Sequence, residues 1–325
     1  MLSPQITVRA HTNIALVKYW GKENQDLIIP MNGSLSLTLD HFYTDTSVQF
    51  DSNLKNDIFS LNGNIQNNLQ VSKFLDIVRK KANIKLFARI DSVNHVPSTA
   101  GLASSASAYA ALAAAASKAA GLNLNRQDLS KLARKGSGSA CRSIYGGFVE
   151  WVKGYDDDSS YAVPIEEELD WEIGMLVAMV NRNEKKVSSR AGMQGVVETS
   201  PFYSAWVKSV NNDLINIKDA IKKRDFKLIG EITESNALRM HSLNLSATPH
   251  FNYFEPMSLE IMQAVEKIRE EQNILCYYTL DAGPNVKILC QQKDAAIIKN
   301  ELSQKFSNIE FEFAKPGPGI KYLNK

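Results

Sequence analysis

The sequence predicts a mixed α+β fold made of two domains. Strand-like and helix-like segments follow one another without the strict alternation of a doubly wound parallel sheet. The length of 325 residues fits two domains, since a domain usually has roughly 100–200 residues. Hydrophobic residues make up 44% of the chain and charged residues 22%, which is typical of a globular protein and excludes a disordered one.

The elements of the first half follow from their residue patterns. β-branched residues predict a strand over 5–17, and alternating apolar and polar residues predict half-buried strands over 34–40 and 46–50. The spacing of Val71, Phe74, Leu75 and Val78 predicts a helix over 70–82. The other predicted elements here are a strand over 84–92, a helix that follows the 97–104 loop and runs to Gly121, a short helix over 126–135 and a strand over 143–151.

The pattern starts again after about residue 160. A buried strand is predicted over 171–181, two strands joined by a short turn over 274–290, and a last strand over 309–314. The predicted helices of this half are 202–224, 225–242, 257–272 and 292–304. We place the domain division so that the N-terminal domain is 1–184 and the C-terminal domain is 185–325.

Composition also narrows the class of protein. Lys plus Arg (37) nearly balance Asp plus Glu (35), and no basic stripe is present, which argues against nucleic-acid binding. The three cysteines form no CxxC pair, which argues against a zinc or redox motif. The N-terminus lacks a signal pattern and the apolar run 106–116 is too short to span a bilayer. We therefore expect a cytoplasmic protein that does not bind membranes.

A Gly/Ser-rich loop over 97–107, PSTAGLASSAS, leads directly into a helix. Gly101 permits backbone conformations that other residues avoid, and the serines offer hydroxyls beside free backbone N–H groups. A helix N-terminus of this kind favours an anion such as a phosphate. The pattern is not GxxxxGK[ST], which excludes a Walker-type P-loop, and a plain capped helix entrance is the alternative explanation.

Two further clusters combine cations with small or aromatic residues. Residues 13–22, NIALVKYWGK, place Lys18 among apolar neighbours on a strand, so that its side chain points either into a site or to water. Residues 136–143, GSGSACRS, join small residues and hydroxyls to Arg142, whose planar guanidinium suits a carboxylate or a phosphate. A solvated strand and a flexible Gly/Ser turn are the alternatives.

Two clusters lie in the second half of the chain. Residues 185–193, KKVSSRAGM, again place hydroxyls beside a guanidinium. Residues 281–287, DAGPNVK, place Asp281 at a turn that leaves an apolar strand, where a carboxylate can face a site. A simple turn-forming role for Asp281 is the alternative.

The loop 97–106 resembles the phosphate loop P-x-x-x-G-L-[GA]-S-S-[AS] of the GHMP kinase superfamily. Taken together and in order, the five clusters are similar to motifs of the diphosphomevalonate decarboxylase family within it, from about Asn13 to Leu289. The resemblance implies the GHMP kinase fold, with an N-terminal domain like domain 2 of ribosomal protein S5 and a C-terminal ferredoxin-like α/β sandwich. It also implies a homodimer with its active site in the cleft between the domains.

The activity that the resemblance implies is the ATP-dependent, Mg²⁺-dependent decarboxylation of mevalonate diphosphate to isopentenyl diphosphate. The 3-hydroxyl would first be phosphorylated, phosphate would then leave with positive charge developing at C3, and CO₂ would depart. A relative that acts on a monophosphate, or that only phosphorylates, is the first alternative. A catalytically inactive metabolite sensor is a second, but it predicts gaps among the charged residues, and the sequence shows none.

The resemblance also implies roles for individual residues. Asp281 would accept or orient the hydroxyl proton, Lys18 would supply the adjacent cation, and Arg142 would hold the departing carboxylate. Asn13 would orient the substrate hydroxyl or Lys18. The expected substrate contacts also include Tyr19, Lys22, Ser137, Gly138, Ser139, Ser189 and Arg190. The expected ATP-binding residues are Pro97, Gly101, Leu102, Ala103, Ser104, Ser105 and Ser107, of which Ser105 would also hold Mg²⁺.

Overall fold

Two large sheets carry the fold within residues 2–95, 104–181 and 186–323, which are the residues that the computed structural model describes. The strands are β1 (Ile6–Val17), β2 (Lys22–Asn24), β3 (Ile29–Pro30), β4 (Ser34–Asp51), β5 (Ile58–Leu61), β6 (Asn64–Gln66), β7 (Phe87–Asn94), β8 (Phe148–Val152), β9 (Tyr161–Glu166), β10 (Ile173–Met179), β11 (Cys276–Thr279), β12 (Val286–Gln291), β13 (Glu310–Ala314) and β14 (Lys321–Tyr322). The helices are α1 (Leu69–Ala82), α2 (Ser104–Ala119), α3 (Arg126–Gly136), α4 (Ser189–Thr199), α5 (Tyr203–Lys223), α6 (Phe226–Ser246), α7 (Pro256–Gln272) and α8 (Gln292–Lys305), and a 3₁₀ helix covers Gly138–Ile144.

The first sheet has eight strands in the order β14-β1-β4-β7-β5-β6, with β8 paired to β4 and β9 paired to β8. All of its pairs are antiparallel except β5 with β7. The second sheet has four antiparallel strands in the order β11-β12-β10-β13. Helices and antiparallel strands are thus combined as the sequence predicted, and the α+β class is confirmed.

Three apolar cores hold these layers together. One lies between the first sheet and α1, α2 and α3, where the buried alanines of α2 let the helix approach the strands closely. A second lies between the four-stranded sheet and helices α7 and α8. The third joins β1, β4 and β10 to α5 and α6, so that it connects the two sheets across the molecule.

The division at residue 184 stays a prediction. Strand β10, which precedes that position, pairs with β12 and β13 in the second sheet. Strand β14, near the C-terminus, pairs with β1 in the first sheet. We propose that a division between β9 and β10 follows the sheets more closely than one at 184.

Most predicted elements are confirmed, with differences where pairing partners decide the structure. The strands predicted over 34–40 and 46–50 are one strand, β4, because β1 pairs with both parts of it. The pairing of β1 with β4 is irregular between the two parts, where the register shifts between His11 and Asn13. The strand predicted over 143–151 was wrong at its start, since Gly138–Ile144 forms a 3₁₀ helix and β8 begins at Phe148. The sequence analysis missed helix α4 and the short strands β2, β3, β5, β6, β9 and β14.

None of the helices in the described ranges is long and apolar enough to cross a membrane.

Gly21 is the position in the 13–22 cluster where only glycine fits. Its φ is +143°, and a Cβ there would lie 1.8 Å from the Tyr203 hydroxyl, which donates a 2.9 Å hydrogen bond to the carbonyl of Trp20. We expect Gly21→Ala to lower the free energy of unfolding by more than about 1–3 kcal/mol, since strain and overpacking add. Gly63→Ala is the control, because Gly63 also has a positive φ but has no atom within 4 Å of such a Cβ. Equal losses in urea denaturation would contradict the packing argument.

Candidate active site

A cavity of about 610 Å³ lies where the two sheets meet. It is lined by the end of β1, the first turn of α2, the turn between α3 and the 3₁₀ helix, the first turn of α4 and the loop between β11 and β12. These segments come from all five clusters that the sequence analysis singled out. The sequence-predicted residues that line it are Asn13, Lys18, Tyr19, Lys22, Ser104, Ser105, Ser137, Gly138, Ser139, Arg142, Ser189, Arg190 and Asp281.

Asp281 and two lysines form the charged centre of the cavity. Lys18 Nζ donates a 2.8 Å hydrogen bond to Oδ1 of Asp281 and another of 2.8 Å to the carbonyl oxygen of Ala15. Lys287 Nζ lies 3.3 Å from Oδ2 of the same carboxylate. The side chains of Lys18 and Lys287 are 2% and 0% exposed, whereas Asp281 keeps 22% of its side-chain surface open. One carboxylate therefore lies between two buried ammonium groups, and its side chain is partly open to the cavity although its Oδ2 atom is buried.

Burial and charge act together on the pKa values of this centre. Burial lowers the pKa of Lys18 to about 8, the nearby Lys287 and Arg142 add to this, and Asp281 opposes it. Burial alone would raise the pKa of Asp281, but Lys18 and Lys287 reverse this and hold it well below its usual range. Asp281 is therefore ionised at neutral pH, as hydrogen-bond acceptance from a hydroxyl requires.

Arg142 is a buried cation whose side-chain hydrogen bonds, among the described residues, all go to neutral groups. Its Nε donates to Asn13 Oδ1 at 3.1 Å and to Ser36 Oγ at 2.9 Å, and its Nη1 donates to Ser34 Oγ at 2.5 Å. It forms no ion pair with a carboxylate in the part of the chain that the structure describes. Burial lowers its pKa, although a guanidinium remains charged at any physiological pH. An anionic group of a ligand would supply the missing charge.

Asn13 contacts Arg142, and its predicted role in orienting the substrate hydroxyl stays a prediction. Its Oδ1 accepts from Arg142, while its Nδ2 donates to the Ser139 carbonyl at 3.1 Å and to Ser143 Oγ at 2.7 Å. The three contacts fix the amide orientation, so that Asn13 orients Arg142. No hydrogen bond joins Asn13 to Lys18 among those that the described residues make.

The backbone at the end of β1 is clamped by α5 and α6. The Lys18 N–H donates to Asn236 Oδ1 at 2.8 Å, and Asn236 Nδ2 donates to Asp213 Oδ2 at 2.7 Å. The Trp20 indole donates to Asn244 Oδ1 at 3.0 Å. These contacts keep the motif KYWGK facing the cavity.

The hydroxyl groups and cations at the other end of the cavity form an anion-binding surface. Ser137 Oγ lies 3.3 Å from Ser105 Oγ and 3.4 Å from Ser139 Oγ, which brings together the 97–107 and 136–143 clusters. Ser188 caps α4 by accepting from the Ala191 N–H at 3.2 Å, so the positive end of that helix, with Ser189 and Arg190, faces the cavity. Burial, and the nearby Arg190 charge, lower the pKa of Lys22, so an anion there is favoured.

Tyr19 is packed against the same surface. Its ring meets that of Trp151 edge-on with centroids 4.7 Å apart, and its hydroxyl has no hydrogen-bond partner among the described residues. Burial raises the pKa of this phenol, so it stays protonated and can donate. A ligand oxygen would satisfy it.

The structure does not bring Ser107 to the cavity. Ser107 is fully buried, and its hydroxyl meets Thr44 Oγ1 at 2.8 Å and the Ser104 carbonyl at 3.2 Å. Its predicted ATP contact therefore has no geometric support here. Pro97, Gly101, Leu102 and Ala103 lie outside the described residues, and their predicted roles stay predictions.

The sequence analysis missed Lys287, Ser34, Ser36 and Asn236. Lys287 lies inside the 281–287 cluster and is the one charged residue in the apolar run 286–290. This pattern could have indicated a buried, functional lysine. The other three lie on β4 and α6, far from the motifs in sequence, and only the fold places them beside Arg142 and Lys18.

His241 on α6 is buried behind the charged centre. Burial, helped by the charge of Lys18, lowers its pKa to about 3, whereas the unfolded chain has a value near 6.5. Between pH 6.5 and pH 3 the His241 side chain is protonated in the unfolded state but neutral in the folded state. The free energy of unfolding therefore falls as the pH drops from about 6.5 towards 3. We expect His241→Gln to reduce the dependence of the free energy of unfolding on pH, measured by urea denaturation, by at most about 1.4 kcal/mol per pH unit. Above pH 8 the difference in free energy of unfolding between the variant and the wild type should not change with pH. An unchanged dependence on pH below pH 6 would contradict the assignment.

No group of three or more His, Cys, Asp or Glu side chains suited to a metal is present in the described ranges. The site therefore suits a Mg²⁺ ion that is held mainly by a bound nucleotide and by few protein atoms. Mg²⁺ commonly takes one or two protein oxygens, several waters and the phosphates of a nucleotide. The exposed Ser105 hydroxyl at the first turn of α2 is an oxygen of that kind.

Comparison with known proteins agrees with this geometry. Residues 10–162 match the family model "Diphosphomevalonate decarboxylase-like N-terminal domain", and residues 175–316 match "Mevalonate 5-diphosphate decarboxylase C-terminal domain". The diphosphomevalonate decarboxylase of Ganoderma lucidum is 37% identical over 310 residues, which cover 87% of this chain and 78% of that protein. The chain belongs to the diphosphomevalonate decarboxylase family.

Solved structures of the diphosphomevalonate decarboxylase family share the whole fold. The mevalonate diphosphate decarboxylase of Staphylococcus aureus is 48% identical, with a TM-score of 0.95 over 100% of this chain and 99% of that one. A structure described as MDDEF in complex with MVAPP, AMPPCP and magnesium is 49% identical, with a TM-score of 0.94 over 100% of both chains. The predicted GHMP kinase fold and the predicted enzyme family are confirmed.

Proposed function

We propose that this chain decarboxylates (R)-5-diphosphomevalonate with ATP, giving isopentenyl diphosphate, ADP, phosphate and CO₂. The observation that carries the proposal is the pairing, in one cavity, of an ionised Asp281 with a buried Arg142 that has no described carboxylate partner. A substrate with a hydroxyl and a carboxylate on neighbouring carbons suits both groups at once. The relative whose structure holds MVAPP, AMPPCP and magnesium supports the same substrate and cofactors.

Phosphoryl transfer to the 3-hydroxyl would be the first step. Asp281 would accept a hydrogen bond from that hydroxyl, orient its oxygen towards the γ-phosphate of ATP and take up its proton as the new P–O bond forms and ADP leaves. Lys18, at 2.8 Å from the carboxylate, would keep it ionised and offset negative charge as the phosphate approaches. Positioning and charge stabilisation of this kind are most of what phosphoryl transfer asks of a protein.

Loss of CO₂ would follow the departure of phosphate from C3. Arg142 would bind the substrate carboxylate, and the neutral contacts from Asn13, Ser34 and Ser36 would fix the guanidinium in one orientation. Because no protein carboxylate competes for it among the described residues, Arg142 would be free to pair with the substrate. The electron pair of the breaking bond between C2 and the carboxyl carbon would then form the C2=C3 double bond, which neutralises the positive charge at C3 as CO₂ leaves.

The diphosphate end of the substrate would lie on the anion-binding surface. Its expected contacts are Tyr19, Lys22, Ser137, Gly138, Ser139, Ser189 and Arg190. The buried Tyr19 hydroxyl and the helix end at Ser189 and Arg190 supply donors for several phosphate oxygens.

The nucleotide would lie against the first turn of α2. Ser104 and Ser105 line the cavity there, and Ser105 would offer an oxygen to Mg²⁺. When bound, Mg²⁺ would neutralise charge on the nucleotide phosphates. We also propose that the chain works in the cytoplasm as a homodimer without nucleic-acid or membrane partners, as its near-neutral net charge of +2 and its three cysteines, all buried and free, allow.

A panel of substrates tests the function. Purified protein is incubated with ATP and Mg²⁺ and with mevalonate, its 5-phosphate or its 5-diphosphate, while ADP and trapped CO₂ are both measured. We expect the highest kcat/KM for CO₂ release from the 5-diphosphate. Preference for the 5-phosphate would indicate a phosphomevalonate decarboxylase, and ADP without CO₂ would indicate a mevalonate 3-kinase. No turnover of any of them would overturn the proposal.

A further inference from the structure

Lys287 is a charged residue in the middle of an apolar strand. On β12 the side chains of Val286, Ile288 and Cys290 pack under α7 and α8, while Leu289 faces the core that joins the two sheets. Lys287 shares the face of Leu289, since side chains alternate along a strand. Its side chain is fully buried, and a buried ammonium group is costly unless it is paired. The presence of a lysine at this buried position, where an apolar residue would be less costly, indicates that the positive charge has a role.

The two oxygens of Asp281 meet two different cations. Oδ1 accepts from Lys18, which directly follows β1 of the first sheet, and Oδ2 lies 3.3 Å from Lys287, which lies on β12 of the second sheet. A single cation leaves a carboxylate free to rotate about its Cβ–Cγ bond. A second cation beside the opposite oxygen, which is buried and makes no hydrogen bond among the described residues, favours one orientation of the carboxylate group.

The loop that carries Asp281 is held separately. Asn285 accepts from the Asn181 N–H at 3.0 Å and donates to its carbonyl at 3.1 Å, and Ser258 Oγ donates to the Pro284 carbonyl at 2.6 Å. The backbone of the loop therefore has its own supports. The Lys287 ammonium group reaches the side chain of Asp281, at 3.3 Å from Oδ2.

We propose that Lys287 is a positioning residue, which fixes the Asp281 carboxylate by holding Oδ2 while Lys18 holds Oδ1. The substrate hydroxyl then meets a carboxylate of set orientation and full negative charge. This inference rests on the proposed function, because it is the 3-hydroxyl that the oriented carboxylate receives. Lys287 touches no reacting atom in this account and acts only through Asp281.

Among the described residues, four charged or titratable groups act on Asp281 from different parts of the fold. They are Lys18 directly after β1, Lys287 on β12, Arg142 in the 3₁₀ helix and the neutral His241 on α6. Lys287 lowers the pKa of Asp281 and also lowers that of Lys18. Its removal should therefore move both values upward, which damage to packing alone would not do.

Lys287→Met tests the proposal, because it keeps the length of the side chain and removes the charge. Leu289→Met is the control, since it changes the neighbouring buried residue on the same strand face at nearly constant volume. We expect Lys287→Met to lower kcat about 10-fold or more with the KM for ATP unchanged. In the plot of its kcat/KM against pH, the acid limb set by Asp281 and the alkaline limb set by Lys18 should both move to higher pH. Both limbs should stay at the wild-type positions in Leu289→Met. A Lys287→Met enzyme that matches Leu289→Met in kcat and in both limbs would overturn the proposal.

A measurement that needs no activity separates this proposal from the proposed function. Urea midpoints are compared for the wild type, Lys287→Met, Asp281→Asn and the double variant. We expect the two shifts to be non-additive, since the residues are in contact. Additive shifts would overturn the contact between Lys287 and Asp281 even if the wild type decarboxylates its substrate. Non-additive shifts in a protein that turns over no mevalonate phosphate would support the contact while the proposed function fails.

Discussion

Asp281→Asn should lower kcat for both ADP and CO₂ formation by ~10²-fold or more, the scale of general acid–base contributions. The change keeps the shape of the side chain but removes the charge that would orient the 3-hydroxyl and pair with Lys18 and Lys287. Binding of ATP should stay close to that of the wild type, because the predicted nucleotide contacts belong to the 97–107 segment and do not include Asp281. Steady-state kinetics and a nucleotide titration measure the two quantities.

The same change leaves two buried ammonium groups without their carboxylate, so loss of folding must be separated from loss of chemistry. Asp281→Glu is the matched variant, because it keeps the charge and displaces it by one methylene. We expect Asp281→Glu to recover stability more fully than activity, since the orientation of the carboxylate matters as well as its charge. Near-normal turnover in a folded Asp281→Asn protein would contradict the assignment.

Arg142→Lys should lower kcat/KM for the mevalonate substrate by about 100-fold, although it keeps the positive charge. The guanidinium makes three hydrogen bonds, to Asn13, Ser34 and Ser36, and a planar fork binds a carboxylate in a way that a point charge cannot reproduce. A loss of this size corresponds to about 2.7 kcal/mol, within the range for hydrogen bonds to charged groups. Initial-rate kinetics with each substrate varied in turn would measure it.

Arg134→Lys is the control for a buried arginine outside the cavity. Arg134 on α3 is fully buried, and its guanidinium bonds to Asp157, to the Ser160 carbonyl and to the Leu27 carbonyl. Its replacement should lower stability and leave KM for the substrate near the wild-type value. Retained activity in Arg142→Lys would show that the site needs only positive charge, and the carboxylate assignment would be wrong.

The spacing of apolar residues along the chain predicted most helices and strands. Elements that depend on pairing with strands distant in sequence were not predicted. Helix α1 followed from the spacing of Val71, Phe74, Leu75 and Val78, and all four are buried as that spacing requires. The single strand β4 could not be foreseen, because it depends on β1 pairing with both of its halves. Helix α4 was missed because Gly192 and Gly195 weaken its helical pattern, although Ser188 caps it.

The motifs predicted which residues meet in the cavity but not how they contact one another. Lys18 and Asp281 were expected to pair, and they do so at 2.8 Å. The contact between Asn13 and Arg142 was not foreseen, since the register shift between β1 and β4 that precedes Asn13 depends on distant pairing. The predicted role of Asn13 in orienting the substrate hydroxyl stays a prediction. The different environments of Ser105 and Ser107 could have been predicted from the sequence, because residues two apart on a helix face in nearly opposite directions.

The measurement that tests the central claim most directly is a single turnover of (R)-5-diphosphomevalonate labelled at its carboxyl carbon, with ADP and labelled CO₂ followed together. The account predicts one CO₂ for each ADP, with CO₂ never ahead of ADP, because phosphorylation of the 3-hydroxyl comes before loss of the carboxylate. It also predicts no CO₂ without ATP. Release of CO₂ before ADP, or in the absence of ATP, would contradict it.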